Sequence, residues 1–128
     1  MLIDSNGDAI SRDHIALKVP VSEAVVDEIV SLFKGALLVF RQQGRREPFF
    51  LRNIIGGVNH EWRGIAPIEL YDAYMNIYND DERAFREAGL AAGRIFMKVL
   101  IDSENRYQLN GYVPDRFGKS RAQYSALD

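Results

Sequence analysis

Cysteine is absent from the 128 residues, which removes disulfides, thiolate metal sites and a cysteine nucleophile together. Histidine is nearly as scarce. His14 and His60 are the only two, no H-E-x-x-H spacing is present, and a metal site needs three or four converging ligands. There is no G-x-S-x-G elbow and no S-x-x-K, and Gly56-Gly57 is not followed by the G-K-[ST] of a phosphate loop. Glu69 and Asp72 share a helix face, as carboxylates do on any solvated helix. No catalytic residue, metal or cofactor is therefore expected. Long apolar runs are missing too: the longest, Ala36 to Phe40, is far too short to span a bilayer. The first eight residues have neither a basic region nor an apolar stretch, so no signal peptide is expected, and the reading is a cytoplasmic protein with no membrane partner. Basic excess is also lacking. The formal net charge is −2 and the pI about 5.7, whereas nucleic-acid modules run above about 9, so no nucleic-acid partner is expected.

What remains is an ordinary globular balance, 47% hydrophobic and 27% charged, enough to fold without staples. At this length one domain is expected over 1–128, burying roughly 65–70% of its unfolded surface, with 1–14 and 115–128 as polar ends. Asp4-Ser5-Asn6-Gly7-Asp8 resembles the start of a calcium loop. The sixth and twelfth positions are Ala9 and Ile15, however, where such a loop needs glycine and glutamate, and a solvated turn is the simpler reading. Ile15–Val19 reads as a short strand halted by Pro20. Ser22 is a natural N-cap with Glu23 in the first turn, and Val25, Val26, Ile29, Leu32 and Phe33 form one apolar face. That helix is expected to stop at Gly35, in a left-handed C-terminal position. Leu37–Gln42 and Phe49–Ile55 then read as strands joined by a hairpin loop, ringed by Arg41, Arg45, Arg46 and Arg52. Val58–Ile65, with His60-Glu61-Trp62, is either a third short strand or an ordered loop.

Pro67 suits a helix start, and Tyr71, Tyr74, Met75 and Tyr78 recur at i, i+3, i+4, i+7. They are either core residues with hydroxyls at the rim or a recognition face. Asn79, with Glu82 three residues on, looks like a second helix start, giving one kinked or two consecutive helices ended by Gly89. Ile95–Ile101 is nearly continuously apolar and β-branched, and Arg106–Val113 alternates. With the polar turn Asp102–Asn105 between them they read as a hairpin, the first strand inside the sheet and the second nearer its edge. The fold class expected is α+β, a mainly antiparallel sheet of four to five strands with helices packed on one face.

This layout makes a geometric prediction. A helix descending from Asn79 rises about 1.5 Å per residue and a returning strand about 3.3 Å, so the turn at Asp102–Asn105 comes back beside the helix start. Asp80, Asp81, Glu82, Asp102 and Glu104 would then share one end of the molecule, a patch suited to a basic partner.

From Leu70 to Tyr112 the chain resembles the YezG-like family of small bacterial immunity proteins. The likeness is carried by an acidic amphipathic helix, the F-R-E-A-G of Phe85–Gly89, a strand, and then I-D-S-E-N-R-Y-Q-L-N-G-Y. Ala92-Gly93 stands where that family usually has a tryptophan. The resemblance implies a non-catalytic immunity protein, or antitoxin, that neutralises a cognate toxin of the same bacterium by direct protein–protein contact. The partner expected is a basic, nuclease-like domain, with the acidic end as binding face and Trp62 or a rim tyrosine as anchor. The alternative is a small enzyme or ligand-binding domain whose pocket would use His60 with Glu61 or Glu69.

Overall fold

The computed structural model describes residues 1–55, 62, 64–114 and 120–127. In order they form β1 (Leu2–Ile3), a single 3-10 turn (Arg12–His14), α1 (Glu23–Gln42), α2 (Leu51–Ile55), α3 (Ile68–Tyr78), α4 (Asp81–Asp102), β2 (Tyr107–Pro114) and β3 (Ser120–Ala126). The fold is α+β. Its sheet has three strands in the order β1-β2-β3, with β1 parallel and β3 antiparallel to β2. The expected four to five mainly antiparallel strands are thus corrected to a small mixed sheet, because two stretches that look like strands are helical.

The first of these lies in α1. Ser22 caps it, its Oγ accepting from the Val25 amide at 3.3 Å, but the helix runs through Gly35 to Gln42. Its buried residues Ile29, Phe33, Leu37 and Phe40 keep the helical period across the glycine, which sits on the exposed side. Burial of Leu37 and Phe40 at about 1.5–3 kcal/mol each outweighs the roughly 1 kcal/mol that glycine costs inside a helix. Leu37–Gln42 is therefore helix, not strand.

The second lies in α4, a 22-residue helix that continues through Gly89 and contains all of Ile95–Ile101. Ala84, Ala88, Ala91, Ala92, Ile95, Phe96, Val99 and Leu100 are buried at helical spacing, and Arg86, Leu90, Arg94 and Asp102 mark the exposed side every fourth residue or its multiple. The alanines let α3 approach closely, and only Asn79 and Asp80 separate the two helices. Asn79 ends α3 in a left-handed conformation (φ 49°, ψ 39°), and Asp80 caps α4 through the Arg83 amide at 3.1 Å. The N-cap thus falls one residue later than Asn79, the position expected from the sequence.

β2 is central in the sheet rather than near its edge, and the C-terminal segment read as a polar tail supplies β3. The two strands pair from Tyr107↔Ala126 to Pro114↔Ser120, with a bulge between Leu109 and Gly111 where Gly111 has φ +136°. Ile15–Val19 forms no strand pairing among the described residues. In place of an extended Phe49–Ile55, Phe49 makes an isolated bridge to Tyr124, with 2.8 Å hydrogen bonds both ways, and Leu51–Ile55 turns into α2. Fully buried Phe49 is the hub of the core. Its ring centroid lies 4.8 Å from Phe40, 5.8 Å from Tyr124, 6.3 Å from Tyr107 and 6.4 Å from Phe96. α1, α4 and both long strands meet there.

The chain start is tied in at the far end of α4. The Met1 amino group donates to the carbonyls of Leu100 (3.1 Å), Ser103 (2.5 Å) and Asn105 (2.9 Å), joining the Ser103 amide at the Leu100 carbonyl and holding the turn that follows the helix.

Candidate functional site

Because α4 is a single helix, the acidic residues expected at one end lie at two. Asp81 and Asp102 bound its 22 residues, an axial separation of about 31 Å. Asp80, Asp81 and Glu82 are exposed together at the α3–α4 corner, whereas Asp102 and exposed Glu104 sit at the opposite end. Asp102 is engaged by Arg12, with Nη1–Oδ2 at 3.2 Å. Trp62 is only 5% exposed, so its ring belongs to the core rather than to a surface anchor. Its Nε1 is buried and finds no acceptor among the described residues. His60 and Glu61 lie outside the described residues. Glu69 is exposed in the first turn of α3.

The corner is held by local chemistry. Asp80 is committed to the N-cap, and the three carboxylates face the positive end of the helix dipole, which favours them. The Tyr71 hydroxyl donates to Asp81 Oδ1 across the α3–α4 elbow. That bond, with lesser contributions from desolvation and the charges of Asp81 and Asp72, holds the Tyr71 phenol above its ordinary pKa. Arg83, the nearest cation in sequence, lies over the Tyr78 ring at 3.8 Å, and Tyr78 stacks on Tyr74 at 6.0 Å. The tyrosine stripe is thus divided: Tyr74 is core, while Tyr71 and Tyr78 are half-buried and brace the corner. Ile77, in the last turn of α3, is 56% exposed.

The arginines grouped by the sequence are drawn into internal contacts. Arg41 Nη1 donates to the Tyr107 hydroxyl at 3.3 Å, Arg45 pairs with Glu47 at 2.7 Å and lies 4.7 Å from the Phe40 ring centroid, and Arg52 lies over Phe50.

A trough that sequence reasoning missed runs between the N-terminal half of α1, the C-terminal half of α4 and segment 12–21. It is a half-open trough of about 560 Å³. No motif announces it, since its walls come from three separate stretches. Lys98, the one charge inside the otherwise apolar Ile95–Ile101 run, is a signal in the sequence that the reading of that run as a strand passed over. Among the described residues no group of three or more His, Cys, Asp or Glu is placed to hold a metal ion. Likewise, no described helix is long and apolar enough to cross a membrane. No family model, curated protein or solved structure matches the chain.

Proposed function

We propose that the protein is a non-catalytic binding protein of the immunity type, which neutralises a cognate toxin by direct contact and meets a basic surface of that partner with its α3–α4 corner. The observation that carries this reading is the corner itself. Asp80, Asp81 and Glu82 are exposed side by side, Asp80 held by its N-cap bond and Asp81 by the Tyr71 hydroxyl, while the adjacent cation, Arg83, is turned onto an aromatic ring. An uncompensated acidic edge on a rigid helical hairpin steers and orients a basic partner. Asp102 and Glu104 are left out of this face, being a helix length away, and Trp62 is left out because it is buried. The resemblance to immunity proteins over Leu70–Tyr112 points to the same class on sequence motifs alone, since the strand it included, Ile95–Ile101, is part of α4.

The test uses the tagged protein as bait in the organism that encodes it, beside a D81K/E82K variant and an E104K control. The expected result is a stoichiometric basic protein whose toxicity is relieved by co-expression, with at least tenfold weaker capture by D81K/E82K and unchanged capture by E104K. Equal capture by all three would remove the corner from the interface. Recovery of no partner by the wild type would overturn the immunity reading. Thermal melts accompany the assay, since D81K and E82K each also oppose the dipole of α4 by about 0.3–1 kcal/mol.

A further inference from the structure

We propose that the trough between α1, α4 and segment 12–21 binds an aliphatic chain with an anionic head, either a carboxylate or a phosphate. The size is right: about 560 Å³ lies within the roughly 300–1,000 Å³ of small-ligand sites. So is the lining. The apolar residues are all aliphatic, with Ile95 and Val99 of α4 buried at the bottom and Val26 and Val30 of α1 half-buried along the side. A floor without aromatic rings suits a flexible methylene chain better than a planar ring, which gains most from aromatic partners. The α1 wall from Glu23 to Lys34 is about 16 Å long, room for a medium-length alkyl tail.

Charge selects the head. Lys18, Lys34 and Lys98 line the trough from three different walls, and among the described residues none of them has an ion-pair partner. Arg12 differs, its guanidinium being engaged by Asp102 at 3.2 Å. The other two acids in the lining, Glu23 and Asp27, lie one turn apart at the start of α1, and Lys34 lies about 10 Å beyond Asp27 along the helix. An anionic head is repelled from the first end and attracted to the second, so the ligand has one favoured direction. Ammonium groups on long stems can close over such a head while their methylenes cover the tail. This site is separate from the acidic corner and does not depend on the partner reading.

The test is a titration of the full chain, labelled at isoleucine and valine methyls, with decanoate, decyl phosphate and decyltrimethylammonium, each below its micelle concentration. Saturable shifts of Val26, Val30, Ile95 and Val99 are expected with the two anions. Any binding of the cation of equal tail length, whose head is drawn to Glu23 and Asp27 instead, is expected not to weaken when the lysines are reversed. The K34E/K98E variant should lose at least tenfold affinity for the anions while keeping native methyl dispersion. If the double reversal unfolds the chain, K34Q/K98Q replaces it, with a loss of at least threefold expected. The ratio of decanoate to decyl phosphate affinity separates a carboxylate head from a phosphate one. Equal loss of anionic and cationic affinity in the lysine variants, shifts scattered over the surface, anion affinity unchanged in the lysine variants, or no saturable shift with the anions would each overturn the proposal.

Discussion

Replacing Gly35 with alanine distinguishes two backbones with opposite signs. In the structure Gly35 lies in the thirteenth position of a 20-residue helix, it is exposed, and it is not among the residues with positive φ. A Cβ built there meets nothing within 4 Å. The substitution therefore removes the excess backbone freedom of glycine without introducing a clash, and should stabilise the fold by about 0.5–1 kcal/mol. For a chain of this length the unfolding entropy converts that into a rise in Tm of about 2–4 °C. Had Gly35 instead ended the helix in a left-handed position, the same change would put a Cβ into a conformation costing about 1–2 kcal/mol, and Tm would fall. Circular dichroism melts and urea titrations of G35A and wild type settle it. The urea midpoint should rise with an unchanged slope. A fall in Tm of 2 °C or more would refute the continuous α1, and with it the burial of Leu37 and Phe40 on one helical stripe.

Phe96→Ala removes a ring lying 5.6 Å from Tyr124, 5.7 Å from Phe33 and 6.4 Å from Phe49. It should cost about 3–5 kcal/mol in urea titration, and a loss below about 1 kcal/mol would contradict an α4 that carries the core. Burial pushes the Tyr124 phenol above its ordinary pKa of 10.0, so the folded state resists ionisation that the unfolded state accepts. The stability linked to this group is complete below about pH 10 and is lost progressively above it. Melts between pH 8 and about 11.5 should show that decline in the wild type and a shallower one in Y124F; parallel curves would refute the linkage. Asn79→Val places a β-branched side chain at φ 49° and should lower stability by about 1–2 kcal/mol, with N79G close to neutral. An N79V melt indistinguishable from wild type would deny the left-handed elbow.

Local chemistry was legible in the sequence where it is spoken by single residues. Ser22 as a cap, the Tyr71–Tyr74–Tyr78 spacing on a helix and a strand after Arg106 are present in the structure, the strand's expected alternation being interrupted by the bulge between Leu109 and Gly111. The errors share one cause. Ile95–Ile101 and Leu37–Gln42 are short, apolar and flanked by glycine, and over six or seven residues a buried strand and a buried helix segment show the same run of hydrophobics. Longer windows separate them. Across Ala84–Leu100 the alanines, Ile95, Phe96 and Val99 recur with the helical period, and Gly89 and Gly93 lie within that period without interrupting it. The misplaced acidic patch descends from the same error. A strand rises twice as far per residue as a helix and was expected to reverse direction, whereas α4 simply continues and carries Asp102 away from Asp81. The trough lay beyond sequence reasoning because Lys18, Lys34 and Lys98 have no spacing relation until α1 and α4 cross.

The pairing of Leu2 with Tyr107 has a consequence for how the molecule assembles on the ribosome. More than a hundred residues must be made between the two strands, so β1 leaves the exit tunnel long before its neighbour exists. The α3–α4 hairpin, whose contacts are close in sequence, is free to form while synthesis continues. The parallel pair, the docking of the Met1 amine and the Phe49–Tyr124 bridge can all close only as the final strands appear. Until then the apolar side of β1 and the side of the Phe49 ring that meets Tyr107 and Tyr124 are uncovered, and during that interval a chaperone, or aggregation, competes for the nascent chain.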